Sequence, residues 1–110
     1  MTLLKPENLR IELPLETIAS ICRRFNVEQL SIFGSSLRPD FSPASDVDFL
    51  VIFKNGEAGE WAFKYTELSD ELSSVLGRKV EVVSQRAVEQ SENYLRRKRI
   101  LREAQVVYVA

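Results

Sequence analysis

The residues best suited to chemistry in this chain are two aspartates one residue apart, Asp46 and Asp48, which open an apolar run. Alternate side chains of a β-strand point to the same face, so a strand here would present both carboxylates together. Two ionised carboxylates this close repel each other, and a bound divalent cation removes that conflict. Mg²⁺ is the natural candidate because it prefers oxygen ligands. The pair predicts an Mg²⁺ site, and two ions in it would lie roughly 3.5–4 Å apart.

The segment that precedes the aspartates is suited to a phosphate. Gly34 lets the backbone turn sharply and approach a ligand closely, and a turn that leads into a helix N-terminus presents free N–H groups to an anion. The hydroxyls of Ser35 and Ser36 can donate as well, and the guanidinium of Arg38 can bind a phosphate with two hydrogen bonds. These residues predict binding of a nucleoside triphosphate with Mg²⁺, although an ordinary surface position is an equal alternative for Arg38.

A third carboxylate, Glu81, is the only acid inside the strand predicted at 79–84. An acid in an apolar strand is unfavourable unless it is paired or metal-bound. If this strand neighbours the one that carries Asp48, Glu81 is predicted to ligate metal, to act as general base for an acceptor hydroxyl, or both. The alternative is an edge strand in water, where a charge discourages aggregation.

Two amphipathic helices and the loops around them position these residues. Apolar residues at spacings of three and four predict one helix after Pro14, which is tolerated in a first turn, and a second that ends at Gly77, a residue suited to a left-handed closing position. The predicted buried faces are Leu15, Ile18, Cys22 and Phe25, then Trp61, Tyr65, Leu68, Leu72 and Val75. Cys22 is therefore a core residue rather than a nucleophile. The second face could instead contact a partner or form a homodimer.

Strands are predicted at 29–33, 47–53 and 79–84, followed by a helix over about 91–104 and an edge strand at 106–109. The unbroken apolar run at 47–53 is typical of a central strand covered on both faces. Prolines predict a loop at 37–45, and Asn55-Gly56 predicts a turn. The expected fold class is α/β (α+β), a mixed β-sheet flanked by helices, with residues 1–12 as an N-terminal arm and 13–110 as one domain.

Composition narrows the classes of function. The chain has 15 basic and 16 acidic residues, which argues against direct nucleic-acid binding. The absence of His excludes a Ser-His-Asp triad and a His-ligated zinc site. No apolar run approaches the ~18 residues of a membrane span, and no signal-peptide core opens the chain, so a cytoplasmic location is expected. The basic cluster is either a solvated helix face or a contact for an acidic partner or the nucleotide. Its members are Arg96, Arg97, Lys98, Arg99 and Arg102.

The order Gly34-Ser35, ten residues, then Asp46-Val47-Asp48 resembles the signature of the DNA polymerase β-like nucleotidyltransferase superfamily, in particular the minimal nucleotidyltransferases. Three further segments are similar to that group, and the resemblance covers most of residues 27–110. They are Phe33-Gly34-Ser35, the run from Ser45 to Val51, and the stretch from Asn93 to Ala104 with Val107-Tyr108 after it.

The resemblance implies a polymerase β-like fold and transfer of AMP from ATP to an acceptor hydroxyl, with release of pyrophosphate. Asp46, Asp48 and Glu81 would be catalytic metal ligands. Stand-alone members are often antitoxins encoded beside a HEPN-domain ribonuclease toxin, and the better understood pairs adenylylate a tyrosine of that toxin. A partner protein is thus the implied acceptor. Two residues depart from the pattern: Pro39 follows Arg38 where many members have Gly, and Glu81 stands where Asp is commoner.

Three functions stay open at this point. The first is an Mg²⁺-dependent adenylyltransferase that modifies a partner toxin. The second is an antitoxin that neutralises a HEPN toxin by binding, with a weak or inactive nucleotide site. The third is a nucleotidyltransferase acting on small molecules, a class whose members usually carry a further domain.

Overall fold

A computed structural model describes residues 2–3, 11–39, 41–42, 44–54 and 63–110. The strands in these ranges are β1 Thr2–Leu3, β2 Val27–Phe33, β3 Val47–Phe53, β4 Val80–Ser84 and β5 Gln105–Val109. The helices are α1 Leu15–Arg24, α2 Phe63–Leu76, α3 Gln85–Glu89 and α4 Tyr94–Glu103, with a 3₁₀ turn at Gly34–Leu37. The sheet order is β1-β5-β2-β3-β4. Only β3 and β4 pair in parallel, so the sheet is mixed, as predicted.

Strand β3 lies near the middle of this sheet, between β2 and β4. Its residues are buried except Asp48 and Ile52, which are partly exposed. The apolar run therefore forms an interior strand covered on both faces, as the sequence predicts, although β2 is the middle strand of the five. Because the strand is covered on both faces, a carboxylate at Asp48 is held among apolar neighbours.

Helices cover both faces of the sheet. On one face α1 and α2 pack Ile18, Cys22 and Leu72 against alternate residues of β3 such as Phe49. On the other face α3 and α4 form a smaller core, whose members are Phe33, Leu50, Val88 and Ile100. Side chains alternate along a strand, so β3 residues two positions from Leu50 point to the same face, towards α3 and α4.

The first two helices match their predictions closely. Helix α1 starts directly after Pro14, and α2 ends before Gly77, whose φ of +67° is the left-handed conformation expected there. Cys22 is fully buried, and burial raises the pKa of its thiol to about 12, which suits a core residue. In the second predicted face, Leu68 and Leu72 are buried.

Several predicted features lie outside the described residues. They are Trp61, Asn55-Gly56, Pro43 and most of the arm at 1–12.

In the last part of the chain one expectation was wrong and one element was missed. Strand β5 is not an edge strand, because Thr2–Leu3 pairs with it on the side opposite β2. Those two residues of the expected arm are thus part of the sheet. Helix α3 was not predicted, since five residues are too few to show a period. Its N-terminal signal was present in Ser84, whose side chain accepts a hydrogen bond from the Ala87 N–H at 3.1 Å.

No helix in the described ranges is long and apolar enough to cross a membrane.

Replacing Leu72 by Ala tests the larger core. Leu72 is fully buried, so the loss of its methyl groups should lower the free energy of unfolding by about 2–5 kcal/mol. Leu95→Ala is the matched control, because Leu95 is 77% exposed and should change stability by less than about 0.5 kcal/mol. Urea titrations of both variants measure the difference, and equal losses would contradict this packing.

Candidate active site

The candidate site lies at one end of the sheet, where three strands present residues in a single row. Phe33 at the end of β2 pairs with Asp48 of β3, and Asp48 pairs with Glu81 of the parallel strand β4. Leu50 and Val83, two residues further along, pack in the α3–α4 core. By alternation, Asp48 and Glu81 point to that same face. The condition attached to the prediction for Glu81 holds, since its strand is the neighbour of β3, and its role as metal ligand or general base stays a prediction.

A cavity of about 290 Å³ opens over this row. It brings together five of the predicted site residues: Gly34, Ser35, Arg38, Asp48 and Glu81. Asp46 and Ser36 do not line it. Residues from sequence-distant elements therefore converge on the cavity, whereas two that are adjacent to them in the chain do not line it.

Asp48 is the electrostatic centre of the site. The pKa of its carboxyl is raised to about 6, chiefly by burial and also by the negative charges of Glu81, Asp46 and Glu103, while the positive charge of Arg38 opposes this rise. The carboxylate repulsion expected between Asp46 and Asp48 is thus present, and Glu81 contributes more to it than Asp46 does.

Asp46 differs from its prediction in position. It lies one residue before β3 rather than within the strand. Its Oδ2 is 3.9 Å from Nζ of Lys79, a side chain that is 76% exposed. Such a surface pair contributes only about 0–1 kcal/mol. A divalent cation can therefore compete with Lys79 for this carboxylate.

Gly34 brings the backbone against Asp48. Its φ is +81°, and a Cβ at this position would lie 2.6 Å from Asp48 Oδ2. The turn it opens is a single 3₁₀ turn rather than the N-terminus of a longer helix, so the expected helical anion site is absent from it. The Ser35 hydroxyl donates to the backbone oxygen of Asp46 at 3.1 Å and ties the turn to the aspartate segment.

Ser36 does not reach the cavity. It is fully buried, and its hydroxyl has no hydrogen-bond partner among the described residues. The predicted contact of this hydroxyl with a phosphate is not available in this arrangement, because the 3₁₀ turn directs it into the protein.

Arg38 has the extended backbone that Pro39 predicts, with φ −114° and ψ 151°. Its Nη2 donates to both carboxylate oxygens of Glu103, at 2.9 and 3.3 Å. Sequence reasoning missed Glu103, which lies 65 positions away. The available signal was that Glu103 is the only acid of α4, within an otherwise basic helix.

The basic cluster is divided by the turn of α4. Arg96 and Arg99 line the cavity, on the wall opposite the sheet row. Lys98 and Arg102 instead border a neighbouring groove with Leu95, and Arg99 borders that groove as well as the cavity. The sequence left the cluster between a solvated face and a ligand contact, and the structure places two of its members at the site.

The donor set suits a hard divalent cation. Asp48 and Glu81 offer carboxylate oxygens side by side, with Asp46 close enough to affect the pKa of Asp48. A cation would offset the repulsion that raises that pKa. In the part of the chain that the structure describes, no three His, Cys, Asp or Glu side chains already stand around one metal position. Of the three predicted ligands, Asp46 is the one with an ion pair among the described residues, to Lys79.

Comparison with known proteins identifies the class that this fold and site define. Residues 15–107 match the family described as nucleotidyltransferase domain. This range covers most of the chain, and the protein therefore belongs to that family and is a nucleotidyltransferase. The mixed sheet flanked by helices is the fold that the sequence predicted.

Individual relatives are similar over most of the chain. Protein adenylyltransferase MntA of Thermococcus cleftensis is 34% identical over 105 residues, which are 88% of this chain and 97% of that protein. A solved structure named as a minimal nucleotidyltransferase is 32% identical, covers 83% of this chain and 86% of its own, and has a TM-score of 0.62. A toxin–antitoxin structure with AMP-PNP shares the fold at 19% identity, with a TM-score of 0.66 over 89% and 75% of the two chains.

Gly34 and Gly77, which both have positive φ, provide a matched test of the contact with Asp48. Nothing lies within 4 Å of a Cβ at Gly77, so Gly77→Ala should lose about 1 kcal/mol from backbone strain alone. Gly34→Ala has the same strain and a clash with Asp48, and should lose roughly 1–3 kcal/mol more. Urea titrations of both variants measure the difference, and an equal loss would show that Gly34 does not crowd Asp48.

The raised pKa of Asp48 predicts a pH-dependent stability in metal-free buffer. Because its folded pKa of about 6 exceeds the ordinary 3.8, the folded state holds the proton more tightly than the unfolded state. This stabilisation is complete below about pH 4 and is lost as the pH rises through about 6. Asp48→Asn should weaken the pH dependence and be more stable than wild type at pH 8.

Asp70→Asn, at an exposed position on α2, controls for the change in net charge. Chemical denaturation at pH 4, 6 and 8 compares the three proteins. If Asp48→Asn were less stable than wild type at pH 8, the carboxylate would be held by favourable contacts rather than by repulsion.

Proposed function

We propose that this protein is an Mg²⁺-dependent adenylyltransferase that transfers AMP from ATP to a hydroxyl, namely a tyrosine, of a HEPN-domain toxin, and so acts as a cytoplasmic antitoxin. The observation that carries the proposal is the juxtaposition at the sheet end. Asp48 is held against the Gly34 turn with Glu81 in register beside it. Cation ligands and a close backbone approach thus meet in one cavity of a nucleotidyltransferase fold.

The roles follow from position. Asp48 and Glu81 would hold Mg²⁺, joined by Asp46 once its weak pair with Lys79 opens. When bound, Mg²⁺ supplies charge that neutralises the phosphates and favours loss of the acceptor proton. The acceptor oxygen forms a bond to the α-phosphorus, the bond from that phosphorus to the β-phosphate oxygen breaks, and pyrophosphate leaves. Glu81 is exposed at the cavity, so its carboxylate is placed to take the hydroxyl proton.

A protein acceptor suits the accessibility of the site. Glu81, Arg96 and Arg99 line the cavity and are solvent-exposed, so a side chain presented from another protein can reach it. The relative from Thermococcus cleftensis is named a protein adenylyltransferase. The toxin–antitoxin structure has the same fold as this chain, and its name supports a toxin as the partner protein.

A second function, neutralisation by binding alone, is favoured by one specific contact. Arg38, which would bind a phosphate, donates two hydrogen bonds to Glu103, at 2.9 and 3.3 Å. With Lys79 beside Asp46 as well, the site has internal partners for two of its predicted ligands. A protein that kept this arrangement would bind its toxin without transferring AMP.

Incubation with labelled ATP, Mg²⁺ and the HEPN-domain partner tests the transfer. The partner should become labelled, with the AMP located on a tyrosine by mass spectrometry. Asp46→Asn and Asp48→Asn should each lower the rate by at least about 100-fold, because the charge of a bound metal is worth several kcal/mol. Asp70→Asn should leave the rate unchanged, since this exposed residue of α2 is remote from the cavity.

Neutralisation of the toxin in cells separates the two functions. Loss of neutralisation in an Asp46→Asn, Asp48→Asn double variant that still binds the toxin supports adenylylation. Full neutralisation by that double variant, without label on the partner, would replace the enzymatic proposal by binding alone.

A further inference from the structure

Helix α4 has a distribution of charge that the roles proposed so far do not explain. Its cations outnumber its single acid, Glu103, and they differ in what they contact. The Arg97 guanidinium donates to the backbone oxygen of Ser91 at 2.7 Å and lies over the ring of Tyr94. Lys98 and Arg102 border the groove beside Leu95. Arg96 and Arg99 are the two cations of this helix that line the active-site cavity.

Arg96 and Arg99 are three residues apart, a spacing that places side chains on the same side of a helix. Within the described ranges, neither guanidinium has an ion pair or a side-chain hydrogen bond. Arg38, by contrast, is already paired with Glu103. The unneutralised positive charge of the cavity therefore comes from α4 rather than from the glycine–serine segment.

The cavity thus has two walls of opposite charge. The sheet row supplies the carboxylates of Asp48 and Glu81, and α4 supplies the guanidiniums of Arg96 and Arg99. A magnesium–polyphosphate complex has the matching distribution, with a cation on one side and anionic oxygens on the other. A guanidinium fork fits two phosphate oxygens at once and keeps its charge at every working pH.

We propose that Arg96 and Arg99 form the polyphosphate subsite of the nucleotide and hold the part of it that leaves as pyrophosphate. The inference rests on the proposed nucleotide substrate and adds the residues that bind it. When the bond between the α-phosphorus and the β-phosphate oxygen breaks, its electron pair stays on the leaving pyrophosphate. Two cations at that position stabilise the growing negative charge.

Calorimetric titration of the full chain with Mg²⁺-AMP-PNP tests the subsite without requiring turnover. Arg96→Gln and Arg99→Gln should each weaken binding by about 10-fold, as expected for the loss of a charge-assisted hydrogen bond to phosphate. Binding of Mg²⁺-pyrophosphate should weaken in parallel, while adenosine should bind all variants equally. Arg96→Lys with Arg99→Lys should give a smaller loss than the two Gln substitutions, because it keeps the charge and removes only the fork.

The same helix provides the control. Lys98→Gln with Arg102→Gln removes two positive charges from α4 without touching the cavity, and should change AMP-PNP affinity by less than about 2-fold at 0.15 M salt, where charges beyond the Debye length are screened. Thermal unfolding of each variant establishes that it is folded. If both pairs of substitutions weaken AMP-PNP binding equally, the effect comes from the overall positive charge of α4, and the proposed subsite is wrong.

The outcomes also separate this inference from the proposed function. If the wild type binds AMP-PNP and the Arg96→Gln, Arg99→Gln variant binds it equally well, the subsite is overturned and the nucleotidyltransfer proposal stands. If the wild type binds neither AMP-PNP nor pyrophosphate, both fail. Weaker binding in that variant alone, with adenosine unaffected, supports the subsite whether or not AMP is transferred.

Discussion

The crowding of carboxylates at the end of β3 is the constraint on which the site depends. Asp48 lies among apolar strands, beside Glu81 and near Asp46, and the backbone of Gly34 leaves no room for a Cβ against its Oδ2. The larger core on the opposite face, with residues such as Leu72, holds the strands in place despite this repulsion. A bound cation would relieve this repulsion, and the free energy released in this way would favour cation binding at Asp48.

The main features of this fold follow from local patterns. The apolar run of β3, the helical face around Leu72 and the left-handed Gly77 all have short-range causes, namely burial on both faces, a period near 3.6 and a helix end. The pairing of Asp48 with Glu81 needed one further assumption, that β4 lies beside β3. Which strands lie side by side depends on the packing of the whole sheet, so this pairing could be predicted from the sequence only conditionally.

The features that escaped prediction depend on contacts between distant segments. Glu103 binds Arg38 only because α4 packs over the 3₁₀ turn, and Thr2–Leu3 covers β5 only because the two ends of the described chain meet in the sheet. Ser36 was predicted from its residue type, but the direction of its hydroxyl depends on the tightness of a four-residue turn. Residue types thus indicated the chemistry of the site, whereas tertiary packing decided which of its groups face the cavity.

The parallel pairing of β3 with β4 affects the order in which the protein can assemble. Strands β2 and β3 pair antiparallel, but β4 can join them only after the chain has passed through α2. Contacts so distant in sequence form slowly, because a long loop must close first. Gly34 and Asp48 can therefore meet early in folding, while Glu81 joins them only when β4 pairs with β3. Full affinity for a metal–nucleotide complex would then appear at the end of folding, when nearly the whole chain has reached its native arrangement.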